Sequence, residues 1–363
     1  MQVSGASAGR PAGKRIDNGG VPEVERPKDE PCSGWERGGL VDELVFGTRS
    51  VSEIDALVDR VLASELGAGI AEVLFRATSV GVVVGVVLTD SRRVVVKGHQ
   101  PRETMLRLQA VHEIQAELFR AGFPCPQPLV GPVSLTNGHL TVEALLDAGE
   151  FRDTHDPICR QLIAEALAWH LAVTNSRPAD ALAGGWSLFE AGRLWPRHAH
   201  APIFDFNSTS AGAEWIDALG AQAKARLGDP GPLVAGHSDW SGKHFRFANG
   251  EITAIYDWDS LAARPEAAIV GIAAMTFTTR FDLPGVSRAP TPEEMRAFVD
   301  EYSAARKTPL THAERGQVAA HALLLAAYTA RCEHCGIDGY EPENDPDSFV
   351  TALRAHQDSY LRI

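Results

Sequence analysis

The chain has 363 residues, more than one ordinary domain holds, and its 44% hydrophobic and 22% charged residues exclude a disordered or fibrous protein. A formal net charge of −13 argues against a nucleic-acid binder, which needs a basic face to displace counterions. No apolar run reaches the roughly 18–20 residues of a membrane span, the N-terminus lacks a basic-then-apolar leader, and the five cysteines are scattered, so a cytoplasmic protein with reduced thiols is expected.

Residues 1–44 cluster Gly, Pro, Ser and charges with almost no apolar periodicity, and a mobile tail is expected there. In "SVSEIDALVDRVLASELG", Ser52 stands as N-cap, and Ile54, Leu57, Val61 and Leu62 recur at helical spacing. "IAEVLFRA" (70–77), "GVVVGVVLTD" (81–90) and "RRVVVKGH" (92–99) are β-branched runs with short polar joints, an antiparallel meander. "ETMLRLQAVHEIQAELFRAG" (103–122) is a helix stopped by Gly122, Pro124 and Pro126. "QPLVGPVSL" (127–135) and "HLTVEALL" (139–146) read as two more strands joined at Asn137-Gly138.

Beyond residue 150 the pattern turns helical over 156–175, 211–228, 291–307, 311–336 and 345–363. A strand-rich part with one long helix, then a helical part, predicts an α+β chain of two lobes. The boundaries fall at 45–146 for the first lobe and 147–363 for the second, hinged near 143–150.

Two acidic motifs interrupt the helical half. "GHSDWSGKHFRF" runs from a loop into a short alternating strand, Asn249-Gly250 is a hairpin signal, and "EITAIYDW" alternates again. Asp239 therefore lies on a loop before one strand and Asp257 at the end of its partner. The turn brings the two carboxylates toward one region despite their 18-residue separation.

"H-S-D-W-S-G-K-H" resembles the catalytic loop of the aminoglycoside phosphotransferase and choline-kinase group, and "I-Y-D-W-D" resembles that group's Asp-Trp-acid motif. The order strand-Lys, helix-Glu, His-x-Asp, Asp-Trp-Asp over about residues 50–340 carries the resemblance. It implies a bilobal protein-kinase-like fold, with a small antiparallel sheet and one long helix in the N-lobe and a mainly helical C-lobe. It further implies transfer of the terminal phosphate of ATP or GTP to a small-molecule hydroxyl. Asp239 would be the base, with His237 as buried support and Lys243 on phosphate or substrate. Asp257 would hold Mg2+, or Mn2+, with Asp259 and His244 nearby. Lys97 would neutralise phosphate oxygens with Glu113 as its ion-pair partner. The turn "TSVGV", including Ser79 and Gly81, would cover the phosphates. The backbone of Glu143, Ala144 and Leu145 would meet the nucleobase.

His244 stands where the kinase signature has a metal-binding Asn, five residues beyond Asp239. Imidazole is a poor magnesium ligand, which leaves three readings: one protein ligand fewer, a manganese preference, or weakened catalysis. The alternative to an enzyme is therefore a pseudokinase acting as a regulatory or partner-binding module. Carboxylates in "GEFRDTHDP" (149–157) and at Glu190, Asp205 and Glu214 point to a cationic acceptor, an aminoglycoside or another amino-alcohol, the first of which would mean antibiotic resistance. A sugar or amino-acid kinase is the third option, and the oligomeric state is open. Cys332/Cys335 and His198/His200 read as packing and loop residues, and neither a Rossmann nor a P-loop signature is present.

Overall fold

Valine-rich runs joined by turns of three or four residues leave one simple solution, an antiparallel sheet whose alternate side chains face opposite sides. The computed structural model describes residues 36–362, apart from 176, 178, 184–186, 190–191, 197–203, 230 and 337–338. It contains that sheet as β1 (Ile70–Thr78), β2 (Val82–Leu88), β3 (Arg93–His99), β4 (Pro128–Ser134) and β5 (His139–Ala144). The strand order is β1-β2-β3-β5-β4. In the β3–β5 ladder Val95 lies opposite Glu143 and Lys97 opposite Thr141. Val94, Val96, Leu140 and Val142 join an apolar core on one face of the sheet. Lys97, His99, Thr141 and Glu143 line a cavity on the other.

Two helices cover the apolar face. The chain expected to be a tail up to residue 44 is helical from Glu36, as α1 (Glu36–Phe46), and residues 1–35 lie outside the described residues. The reason is packing. Val45 and Phe46 are buried in the sheet's core, against Gly98, where a Cβ would meet Val45 Cγ1 at 2.9 Å. The next helix, α2 (Val51–Leu66), is capped by Ser50 rather than the expected Ser52, because Ser50 Oγ accepts the Glu53 N–H at 3.4 Å. It buries Ile54, Val58 and Leu62. On the opposite side, α3 (Met105–Arg120) is capped by Thr104 and ends at Gly122, whose φ of 79° suits glycine.

The second lobe packs α4 (Pro157–Thr174), α5 (Glu214–Lys224), α6 (Glu266–Thr276), α7 (Pro292–Ala305), α8 (His312–Glu333) and α9 (Phe349–His356) around a larger core. Thr291 with Glu294, and Thr311 with Glu314, form reciprocal capping boxes that fix the starts of α7 and α8. Among the described residues no helix is long and apolar enough to cross a membrane.

Helices α6 and α8 pack closely at Gly271. A Cβ on Gly271 would sit 2.7 Å from the Val318 carbonyl oxygen and 2.8 Å from His321 Cβ. Gly271→Ala is therefore expected to lower stability by about 1–3 kcal/mol through overpacking, read as an earlier urea midpoint with an unchanged m-value.

Candidate active site

Two nested hairpins place the acidic motifs. The inner pair is β7 (Phe245–Ala248) and β8 (Glu251–Ile255), turning at Asn249 and Gly250 with φ of 54° and 80°. The outer pair is β6 (Leu233–His237) and β9 (Leu261–Pro265). Asp239 follows β6 and Asp257 lies between β8 and β9, so both loops emerge side by side. Ser238 joins them, donating from N and Oγ to the Ser260 carbonyl at 3.0 and 2.6 Å.

His237 is fully buried and orders its loop. Its Nε2–H donates to the Tyr256 carbonyl at 3.0 Å, and its Nδ1 accepts the Asp239 N–H at 3.2 Å. Burial pushes its pKa down to about 4, so it serves as a neutral scaffold. Asp239 is surrounded by donors. Ser241 Oγ donates to Oδ1, while His244 Nε2 and Lys243 Nζ lie 3.1 and 3.0 Å from Oδ2. Burial alone would raise its pKa, but these hydrogen bonds and the Lys243 charge hold it well below the carboxylate range. Asp257 adopts a left-handed backbone, φ 68°, and accepts from Ser260 Oγ at 2.6 Å.

His244 Nε2 lies between the carboxylates, 3.7 Å from Asp257 Oδ2. Asp239, His244 and Asp257 each offer one ligand atom, all within 4.8 Å of one another. Two hard carboxylate oxygens fit Mg2+ or Mn2+, and the imidazole favours the latter.

Lys97, only 8% exposed, comes to the same place from β3. Its Nζ donates to Asp259 Oδ1 at 2.5 Å and lies 3.3 Å from Glu143 Oε1. Burial would lower the Lys97 pKa, yet Asp259, Glu143 and Asp257 overrule it and keep the ammonium charged. Asp259 is thus the lysine's partner and not a member of the metal-ligand group, because its side chain turns to the sheet. Arg107 on α3 fastens the same segment, donating through Nη2 to the carbonyls of Asp259 and Leu261 at 2.8 and 2.9 Å.

Two expectations need correction. Glu113 does not reach Lys97. Leu108, Val111, Ile114, Gln115 and Leu118 form the buried stripe of α3, which turns Glu113 outward to Gln109 at 3.0 Å and Arg177 at 4.0 Å. Likewise, the N–H groups of Ala144 and Leu145 already donate to the carbonyls of Gln127 and Arg93, because β5 keeps pairing on both sides. Of the backbone expected to meet a nucleobase, these two N–H groups are engaged within the sheet. The Ser79–Gly81 turn lies between β1 and β2, at the Lys97 end of the sheet, with Ser79 N–H donating to the Gly81 carbonyl at 2.9 Å. Gly81 is needed there because a Cβ would meet the Gly98 carbonyl oxygen at 2.6 Å.

The side chain of Glu143 and the Arg107 tether were missed by sequence reasoning. A carboxylate in the apolar run "HLTVEALL" is the signal that could have found the first. Glu190, His198 and His200 lie outside the described residues. Cys332 lies in the last turn of α8 and Cys335 just beyond it, where Cys335 Sγ meets Thr209 Oγ1 at 3.2 Å and burial pushes the Cys332 thiol up.

The fold has solved relatives at low identity. An amicoumacin kinase solved with AMP-PNP, Ca2+ and Ami is 12% identical, with a TM-score of 0.57 over 86% of this chain and 96% of its own. An aminoglycoside phosphotransferase from Alicyclobacillus acidocaldarius is 11% identical, with a TM-score of 0.54 over 82% and 93%. A search of curated proteins finds no significant match. The phosphotransferase enzyme family is matched over residues 83–317, from the second strand through the catalytic hairpins into α8, and the chain belongs to that family.

Proposed function

We propose that this phosphotransferase moves the terminal phosphate of ATP or GTP to a hydroxyl of a small molecule. The reading rests on one observation: Lys97, Asp239 and Asp257 converge, linked through Asp259 and through the His244 ring that stands between the two carboxylates. Lys97 neutralises phosphate oxygens and Asp239 orients the acceptor hydroxyl. As the acceptor oxygen bonds to phosphorus and the bond to the leaving phosphate breaks, the proton passes to Asp239 and a nucleoside diphosphate departs. The depressed pKa of Asp239 suits an orienting group that takes the proton late. Asp257, with Asp239 and His244, would hold Mg2+ or Mn2+, which supplies charge neutralisation at the transferring phosphate. A triphosphate donor and cysteines that are free among the described residues support a reaction in the cytoplasm.

The acceptor we favour is a hydroxylated small molecule of the antibiotic or amino-alcohol kind. Several acids expected to face a cationic acceptor have other duties. Asp156 caps α4, Asp153 accepts the His155 N–H, and Asp205 accepts the N–H groups of Asn207 and Ser208. An acceptor panel should therefore include sugars and amino acids beside aminoglycosides.

His244 favours a second reading, a nucleotide-binding module without turnover, because its imidazole occupies the space between the metal-ligating acids. Diphosphate release and acceptor mass are to be followed with Mg2+ and Mn2+. Acceptor-dependent release with addition of one phosphoryl group supports the enzyme. Nucleotide binding without release, reversed in His244→Asn, supports the module.

A further inference from the structure

We propose that Glu143, on β5, is the positioning residue for Lys97, taking the part that the family pattern gives to a carboxylate on the helix after that lysine. The proposal rests on the phosphotransferase reading of this site.

The two acids on Lys97 are not equivalent. Asp259 sits on the short segment between Asp257 and β9 with 32% of its side chain exposed. An incoming polyphosphate carries the same sign of charge and competes with it for the ammonium. Glu143 is 7% exposed, and its second oxygen is held by Gln115 Nε2 at 2.9 Å. The same Gln115 nitrogen donates to the Pro126 carbonyl at 2.9 Å, so the amide is itself fixed. A buried carboxylate without its cation is costly, so Glu143 does not release Lys97 as readily as Asp259 does. When phosphate takes the place of Asp259, Glu143 remains to hold Nζ in position.

Among the described residues the rest of the cavity leaves no rival. Helix α3 presents Leu108, Val111, His112 and Gln115 to it, none of them acidic. Glu143 instead faces Lys97 from the adjacent strand, one diagonal step along the ladder. Burial raises the Glu143 pKa and the Lys97 charge opposes that, as expected of a pair held together away from water.

The test uses the full chain and compares Glu143→Gln, Glu143→Asp and Glu113→Gln. Steady-state kinetics are run in the nucleotide, and binding of the triphosphate and of its parent nucleoside is measured by calorimetry. Glu143→Gln is expected to lower kcat by about 10- to 100-fold, the cost of a misplaced transferring group. Its KM should stay within about threefold and its nucleoside affinity should not change. Glu143→Asp should recover part of kcat, and Glu113→Gln should match the wild type. If the Gln variant fails to fold, the Asp variant carries the test with a smaller kcat loss at constant KM. Wild-type kcat in Glu143→Gln, an equal loss in Glu113→Gln, or a loss confined to KM overturns the proposal. A wild type that binds no nucleotide and releases no diphosphate defeats the phosphotransferase reading instead, and is told apart by that result alone.

Discussion

Asp239→Asn is expected to lower acceptor-dependent phosphoryl transfer by about 10²–10⁴-fold while the triphosphate still binds. The substitution removes the proton acceptor and the negative charge facing Lys243 and His244, and leaves an oxygen to receive Ser241. The loop keeps its shape because His237, not Asp239, ties it to the Tyr256 carbonyl. Initial rates by coupled diphosphate release, beside calorimetric nucleotide binding, check this. A rate within tenfold of wild type would remove Asp239 from the mechanism and leave positioning alone to explain transfer.

The second large effect is on stability in acid. Burial pushes three imidazoles down, His99 to about 4, His170 to about 3 and His237 to about 4. Each is neutral when folded and titrates near 6.5 when unfolded, so below that pH the unfolded state binds more protons. Stability therefore falls as pH drops from about 6.5 toward 4, by about 1.4 kcal/mol per pH unit for each group. Three together give a slope near 4 kcal/mol per unit, enough to consume a typical stability within two or three units. His155 works in the opposite sense. Burial lowers its pKa, but the hydrogen bond to Glu294 prevails and raises it.

His170 isolates the effect. Among the described residues neither of its ring nitrogens has a hydrogen-bond partner. The ring stacks on Trp240 at 6.0 Å and meets the edge of Trp258 at 5.3 Å, with the His237 imidazole nearby adding to the effect of burial. His170→Phe is expected to remove one proton from the acid slope and to add about 1–3 kcal/mol of stability near pH 5. Urea unfolding at several pH values reads both, and an unchanged slope would show that His170 is charged or hydrated in the native state.

Much of this site was legible because its signals are local. Spacing joined His237 to Asp239, alternation and Asn249-Gly250 gave the inner hairpin, and the lysine ended a valine strand. The outer pair, β6 with β9, was not legible, since its ladder joins segments separated by both motifs. Glu113 misled because Glu113 and Glu117 share one helical face. The apolar stripe of α3 already excluded that face, and Arg177 now occupies it, 2.5 Å from Glu117. The start of α1 was hidden by its small, charged residues. What orders it is the far face of the sheet, a partner that appears only after folding. Hydrogen bonds at Ala144 and Leu145 are likewise set by neighbouring strands that no linear pattern reveals.

Arg107 has a consequence for control of the protein. Because α3 is riveted to the carbonyls behind the Asp-Trp-Asp segment, swinging that helix away would break two part-buried hydrogen bonds to a charged donor, at up to about 1–3 kcal/mol apiece. A lever that stiff makes a poor switch. The fold itself thus ties α3 to the segment that carries Asp259, the partner of Lys97.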